Sequence, residues 1–238
     1  MNNKDLVLVI KREDLSNQNL LFQGFSSIED NPAYLFKLLN KAVFAYRDDV
    51  KGDLNYKEIF TYGILANFED NRFFVYTKHT KTSSNNAAQD TQITHKDIWS
   101  WGISERVSAR DDTSGCYAIG RKFPSDKVPL HADLLNKTCR NIFVPGSIDE
   151  PKILGFLNHD AENPCRLGIA YLIATNVKEV NVNPRIKPVD SGIEKGYMVR
   201  FALLECRLND SDVIVEPWSK AIMESLRKLY YHDGNLQK

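Results

Sequence analysis

The stretch from Trp99 to Thr175 constrains this chain most, because strand-like and helix-like runs follow one another there in a fixed order. Ser100-Trp101-Gly102-Ile103-Ser104-Glu105-Arg106-Val107 comes first. A helix-like run from Leu130 to Phe143 follows. Pro129 stands at its start, where a proline gives up no needed donor. Leu130, Leu134, Leu135, Thr138, Cys139 and Ile142 form its apolar stripe at helical spacing, and Pro145-Gly146 ends it. Two apolar runs, Ile153 to Leu157 and Leu167 to Thr175, then read as paired strands across a turn. Strand-like and helix-like runs are thus interleaved along one stretch, and the chain mixes α and β.

The flanking segments extend that pattern. Leu6 to Ile10 reads as an opening strand. Asp30 or Asn31, ahead of Pro32, is a good helix start. Leu35, Leu38, Leu39, Ala42, Val43 and Tyr46 continue that helix on one face. Ile59 to Phe68 and Arg72 to Lys78 form a hairpin joined at Glu69-Asp70-Asn71. Thr82 to Gln92 lacks periodicity and reads as a loop. Trp99 and Trp101 alternate with small residues, so both indoles project to one side of a strand. Tyr197 to Glu205 reads as a late strand with Cys206 buried near its end. Trp218, Ala221, Ile222, Leu226, Leu229 and Tyr230 mark the last helix. The expected organisation is one domain over residues 1–238.

Composition narrows the function classes. Lys plus Arg and Asp plus Glu each number 31, giving zero formal net charge, which argues against general nucleic-acid binding. Cys116, Cys139, Cys165 and Cys206 make no C-x-x-C pair and point to neither a zinc site nor a disulfide framework. No stretch approaches the roughly 20 apolar residues that span a bilayer, and the polar start with its short apolar run does not read as a secretory signal. The expectation is a cytoplasmic protein.

Several runs resemble the Nudix hydrolase-like superfamily, in particular its predicted phosphoesterases, whose members read S-x-G-x-G-G-H, then a helix with R-E-x-x-E-E, then L-G-F-I-N, a turn and H-L-G. Ser100-Trp101-Gly102-Ile103, Leu154-Gly155-Phe156-Leu157-Asn158 and Arg166-Leu167-Gly168-Ile169 match in order and spacing. Glu216-Pro217-Trp218-Ser219 resembles the family's M-E-x-W-S, and Tyr56-Lys57-Glu58-Ile59 its lysine or glutamine leading into a strand. Ser104, Glu105 and Arg106 replace Gly-Gly-His, and Asn136-Lys137-Thr138-Cys139-Arg140-Asn141 replaces the arginine and glutamates. The metal-binding box is therefore absent as a motif, while the fold that the resemblance implies is an α/β (α+β) one, a mixed β-sheet sandwiched between helices. Hydrolysis of the kind the resemblance implies needs clustered carboxylates to hold magnesium on the phosphates; magnesium is expected only if the chain is hydrolytically active, and no other cofactor is expected.

Lys137, Arg140 and Asn141 lie three and four residues apart and share one helix face, where basic side chains would meet a phosphate directly. An ordinary solvated surface is the competing reading. Arg47, Tyr62, Trp101 and Arg106 complete the candidate ligand-binding set, with sheet support or core packing as the alternative for the first three. Glu105, Asp133 and Glu150 are the candidate catalytic carboxylates should metal ligands have moved. His159, in a turn beside Asp160, has no evident nucleophile or metal partner and reads as a turn residue. Three functions follow: a Nudix-fold protein that has lost hydrolysis and binds or senses a nucleotide or other phosphorylated metabolite; an active nucleoside-diphosphate-type hydrolase with relocated metal ligands; or a non-catalytic protein-interaction module.

Overall fold

The computed structural model describes residues 5–79, 97–109, 142–182 and 195–233. The expected loop at Thr82 to Gln92 and the expected helix up to Asn141, with Asp133, Lys137, Arg140 and Asn141, lie outside them.

The architecture is built around two long strands. β4 (Tyr56–Asn67) and β11 (Arg166–Ala174) run parallel over their shared length, with Glu58 opposite Arg166 and Ala66 opposite Ala174. Their side chains alternate between two buried faces, which is why both read as nearly continuous apolar runs. Ile59, Leu65, Leu167, Ile169, Tyr171 and Ile173 enter one cluster. Phe60, Tyr62, Ile64, Ala66, Ala170 and Leu172 enter the other.

β11 continues outward through β10 (Lys152–Asn158) to β2 (Gly24–Ser27). The opposite edge of β4 is divided among three antiparallel partners: β1 (Leu6–Lys11) at its start, β7 (Ile103–Arg106) at its middle and β5 (Arg72–His79) at its end. β5 also pairs with β6 (Asp97–Ser100) and β13 (Lys195–Arg200), and β6 with β14 (Ile214–Val215). β1 carries β3 (Val43–Tyr46) and β8 (Ser108–Ala109). A separate pair joins β9 (Ile142–Phe143) to β12 (Asn181–Val182).

Helices cover both faces. α1 (Arg12–Asn17) follows β1, and α2 (Tyr34–Lys41) lays Tyr34, Leu38 and Leu39 on the first cluster. α4 (Phe201–Leu208) and α5 (Pro217–Lys228) place Phe201, Leu204, Trp218, Ile222, Met223 and Leu226 on the second. α3 (Arg47–Val50) is a single turn after β3. The result is the mixed sheet between helices that the sequence led us to expect. Among the described residues no helix is long and apolar enough to cross a membrane.

Four local expectations are corrected. The helix expected to reach Tyr46 stops at Lys41, because Val43-Phe44-Ala45-Tyr46 finds β1 as a partner, with Leu6 opposite Tyr46. Its start has no side-chain cap; Ala33 holds that place, and Tyr34 donates to the Asn31 carbonyl. The late strand ends at Arg200, and Phe201–Leu208 turns helical so that Phe201 and Leu204 reach the core, leaving Cys206 exposed. Ile142 and Phe143, expected to finish a helix, pair as a strand instead.

Candidate functional site

The first turn of α5 brings Trp218 onto the sheet beside Phe60. There β7, β4 and β11 lie side by side, and parity brings four side chains together: Arg106, Glu58, Phe60 and Arg166. Arg106 donates through Nε to Glu58 Oε2 at 2.8 Å. Its guanidinium carbon lies 5.6 Å from the centre of the Phe60 ring, and that of Arg166 lies 4.9 Å from the same ring. Phe60 is thus flanked by two cations within cation–π range, and Arg166 itself is exposed. Trp218 closes the inner side, edge-on to Phe60 at 6.2 Å. Ser104, Asn163, Glu216 and Pro217 complete a small cleft of about 20 Å³ with Arg166 and Trp218.

Behind this shelf stands a buried hydroxyl network. Tyr62 is 0% exposed, and its Oη lies 2.6 Å from Ser219 Oγ and donates to Glu216 Oε2 at 3.2 Å. Ser100 Oγ donates to the same carboxylate oxygen at 2.5 Å. Trp101, also 0% exposed, donates its backbone N–H to Ser219 Oγ at 3.1 Å and its indole N–H to the Ser219 carbonyl at 2.8 Å. Burial pushes the Tyr62 phenol well above its ordinary value, and the Glu216 charge adds to that shift. Tyr62 and Trp101, two of the candidate ligand contacts, therefore lie inside the core. A Cβ on Gly102 would overlap the Tyr62 ring, so that ring rests directly on bare backbone.

On the other side of the shelf is an ion cluster. Lys57 is 0% exposed, and its ammonium donates to Asp160 Oδ1 at 2.5 Å, Asn158 Oδ1 at 2.8 Å, the Pro164 carbonyl at 2.9 Å and the Arg166 carbonyl at 3.4 Å. Arg12 grips Asp160 with two nitrogens at 3.0 and 3.2 Å and donates to the Pro164 carbonyl at 2.7 Å. Gln23 donates to Asp160 Oδ2 at 3.0 Å. Burial lowers the Lys57 pKa, against the pull of Asp160. Burial alone would raise the Asp160 carboxyl, but hydrogen bonds from Arg12 and Lys57, with their charges, hold it below the ordinary value.

The remaining candidates are dispersed. Glu105 adjoins Arg106 on β7 and so projects to the opposite face, beside Ile103 and Val107. Glu150 lies near the far end of β11, where Asp149 N–H donates to the Ala174 carbonyl. Five residues of β11 separate that point from the Ile169 row that Glu105 shares through Thr61, about 16 Å of strand. Glu150 instead lines a cavity of about 420 Å³ with Asp149, Glu69 and Lys152. Arg47 sits two strands from β4, beyond β3 and β1. Magnesium calls for several converging oxygen ligands. Among the described residues no group of three or more His, Cys, Asp or Glu side chains converges.

Sequence reasoning named Arg106 but passed over Arg166, Lys57 and Asp160. A signal was present for two of them: Arg166 replaces the histidine of a framework motif, and Lys57 is a charge opening a long apolar strand.

No protein-family model matches the chain, and a comparison with curated proteins finds no match. Among solved structures the chain is similar to Tm1382, described as "a putative Nudix hydrolase", with a TM-score of 0.65 and 20% identity over 94% of this chain and 99% of that one. The fold is Nudix-like.

Proposed function

We propose that this Nudix-like protein binds a phosphorylated small molecule, a nucleotide or other phosphorylated metabolite, by direct contact with cationic side chains, and that it has lost metal-dependent hydrolysis. The observation that carries this reading is the Arg106–Phe60–Arg166 shelf. Two guanidiniums share one face with Glu58 beside them, and Arg106 is ion-paired to that carboxylate. A guanidinium presents paired N–H groups that match phosphate oxygens, and it needs no metal to do so. The wide separation of Glu105 from Glu150 supports the same reading. Lys137, Arg140 and Asn141, outside the described residues, remain proposed contributors.

Thermal unfolding with inorganic pyrophosphate, nucleoside diphosphates and nucleotide sugars, each with and without magnesium, tests this. Ligand at a hundred times its Kd stabilises the native state by about 2.7 kcal/mol. The expected result is a magnesium-independent shift that Arg166→Ala or Arg106→Ala abolishes. A shift that requires magnesium, or one untouched in both variants and in Lys137→Ala/Arg140→Ala, would overturn the reading. The absence of any shift would direct attention to a protein-interaction role.

A further inference from the structure

All four acceptors of the buried Lys57 ammonium belong to one short segment, the turn from Asn158 to Arg166 that joins β10 to β11. That segment also carries Asn163 and Arg166, two walls of the cleft beside Phe60. Arg12 and Gln23 hold the turn from its solvent side through Asp160, and the Glu58 N–H holds it through the Cys165 carbonyl at 2.8 Å. Within the turn, Asn163 N–H donates to the His159 carbonyl at 2.8 Å and Arg166 N–H to the Asn163 carbonyl at 3.1 Å. A continuous chain of bonds therefore runs from the Lys57–Asp160 pair to the backbone that aims Arg166.

We infer that Lys57 and Asp160 are positioning residues for anion capture, fixing Arg166 and Asn163 against the Arg106 side of the shelf. The inference rests on the phosphate-binding reading above. An ammonium has three protons, and here they meet two side-chain oxygens and two backbone carbonyls of the turn, so its placement defines the turn's path rather than merely neutralising Asp160. The asymmetry of the shelf follows. Arg106 is oriented by Glu58, and Arg166 is oriented through its own backbone.

A double-mutant cycle with inorganic pyrophosphate as probe, read by calorimetry on the full chain, separates positioning from general support. Arg166→Ala is expected to weaken binding about tenfold, the scale of one lost charge-assisted contact. Asp160→Asn keeps the side chain's size and is expected to weaken binding roughly threefold to tenfold, and to lose most of that effect in the Arg166→Ala background, where Asn163 alone is left to position. Arg12→Gln, on the exposed side of the same carboxylate, is expected to act in the same direction and serves if Asp160→Asn fails to fold. Wild-type affinity in Asp160→Asn and Arg12→Gln, or a loss as large in the Arg166→Ala background as with Arg166 intact, overturns the positioning role alone. Failure of the wild-type protein to bind pyrophosphate, or undiminished binding by Arg166→Ala, overturns the shelf itself and this inference with it.

Discussion

Around Glu216 a carboxylate is shared among hydroxyl groups; around Asp160 one is shared among cations. Both clusters tie together parts of the chain more than a hundred residues apart, and both border the same shelf. The hydroxyl network joins Ser100-Trp101-Gly102 to the first turn of α5. The ion cluster joins the start of α1 and the start of β4 to the β10–β11 turn. Neutral donors cost less to desolvate than charged ones and give directional bonds. A buried ammonium loses a great deal and is held only by good pairing and full hydrogen bonding. The first cluster therefore resists change by shape, and the second by charge.

Removing charge should give the largest effect. Lys57→Ala leaves Asp160 with Arg12 and Gln23 but strips the turn of its inner anchor, and should destabilise by about 3 kcal/mol, the lower end for breaking a buried pair because Asp160 stays partly solvated. Urea denaturation checks this; a loss under about 1 kcal/mol would erase the distinction between the clusters. Changing shape comes next. Gly102→Ala forces a methyl into the Tyr62 ring, and overpacking of this kind typically costs about 1–3 kcal/mol. A near-UV circular dichroism change confined to that variant would place the disturbance at Tyr62 and its neighbours Trp101 and Trp218. Tyr62→Phe keeps the ring and removes one hydroxyl. Ser219 Oγ retains the Trp101 N–H and Glu216 retains Ser100, so a loss near 1 kcal/mol is expected, and a loss matching that of Lys57→Ala would contradict the contrast.

The two clusters also differ in how well the sequence announced them. Ser100, Gly102, Trp218 and Ser219 stood out as framework matches, and each has a packing reason. Gly102 lies under Tyr62, Gly168 leaves room for Trp218, and Ser219 ties the α5 start to Trp101. Long apolar strands and the last helix were legible because burial on two faces, or on one stripe, writes a periodicity. The ion cluster wrote none. Lys57, Arg12, Gln23 and Asp160 are distant in sequence, and only folding brings them together. The same holds for the shelf, where Arg106 and Arg166 meet because β7 and β11 flank β4. Strand parity, once pairing is known, explains why Arg106 joins that group and Glu105 does not. Pairing was the missing information, and it also misled us at Val43–Tyr46, where helical spacing and a strand partner competed and the partner won.

The smallest expected effect is also the one in which the clusters oppose each other, at the two ends of the pH scale. Asp160 has a depressed carboxyl pKa in the folded chain. Between that value and the ordinary unfolded value near 3.9 the unfolded chain binds more protons, so stability falls as the medium is acidified through this window. Tyr62 has a raised phenol pKa. Its contribution is complete below the ordinary tyrosine value near 10 and is lost as pH rises beyond it, because the unfolded phenol ionises first. Lys57 acts in the reverse sense on the alkaline side: its folded pKa is depressed, so the unfolded chain holds the extra proton and stability gains as pH rises towards the ordinary lysine value. Burial pushes Tyr34 and Tyr171 up as well, so Tyr62→Phe should remove only part of the alkaline loss. Urea midpoints measured from pH 3 to about 10.5 should therefore show Asp160→Asn flattening the acid limb while enlarging the alkaline gain from Lys57, which loses the upward pull of Asp160, and Tyr62→Phe flattening the alkaline loss with the acid limb unchanged. If Tyr62→Phe flattened the acid limb, the charge-held and shape-held clusters would be one coupled unit.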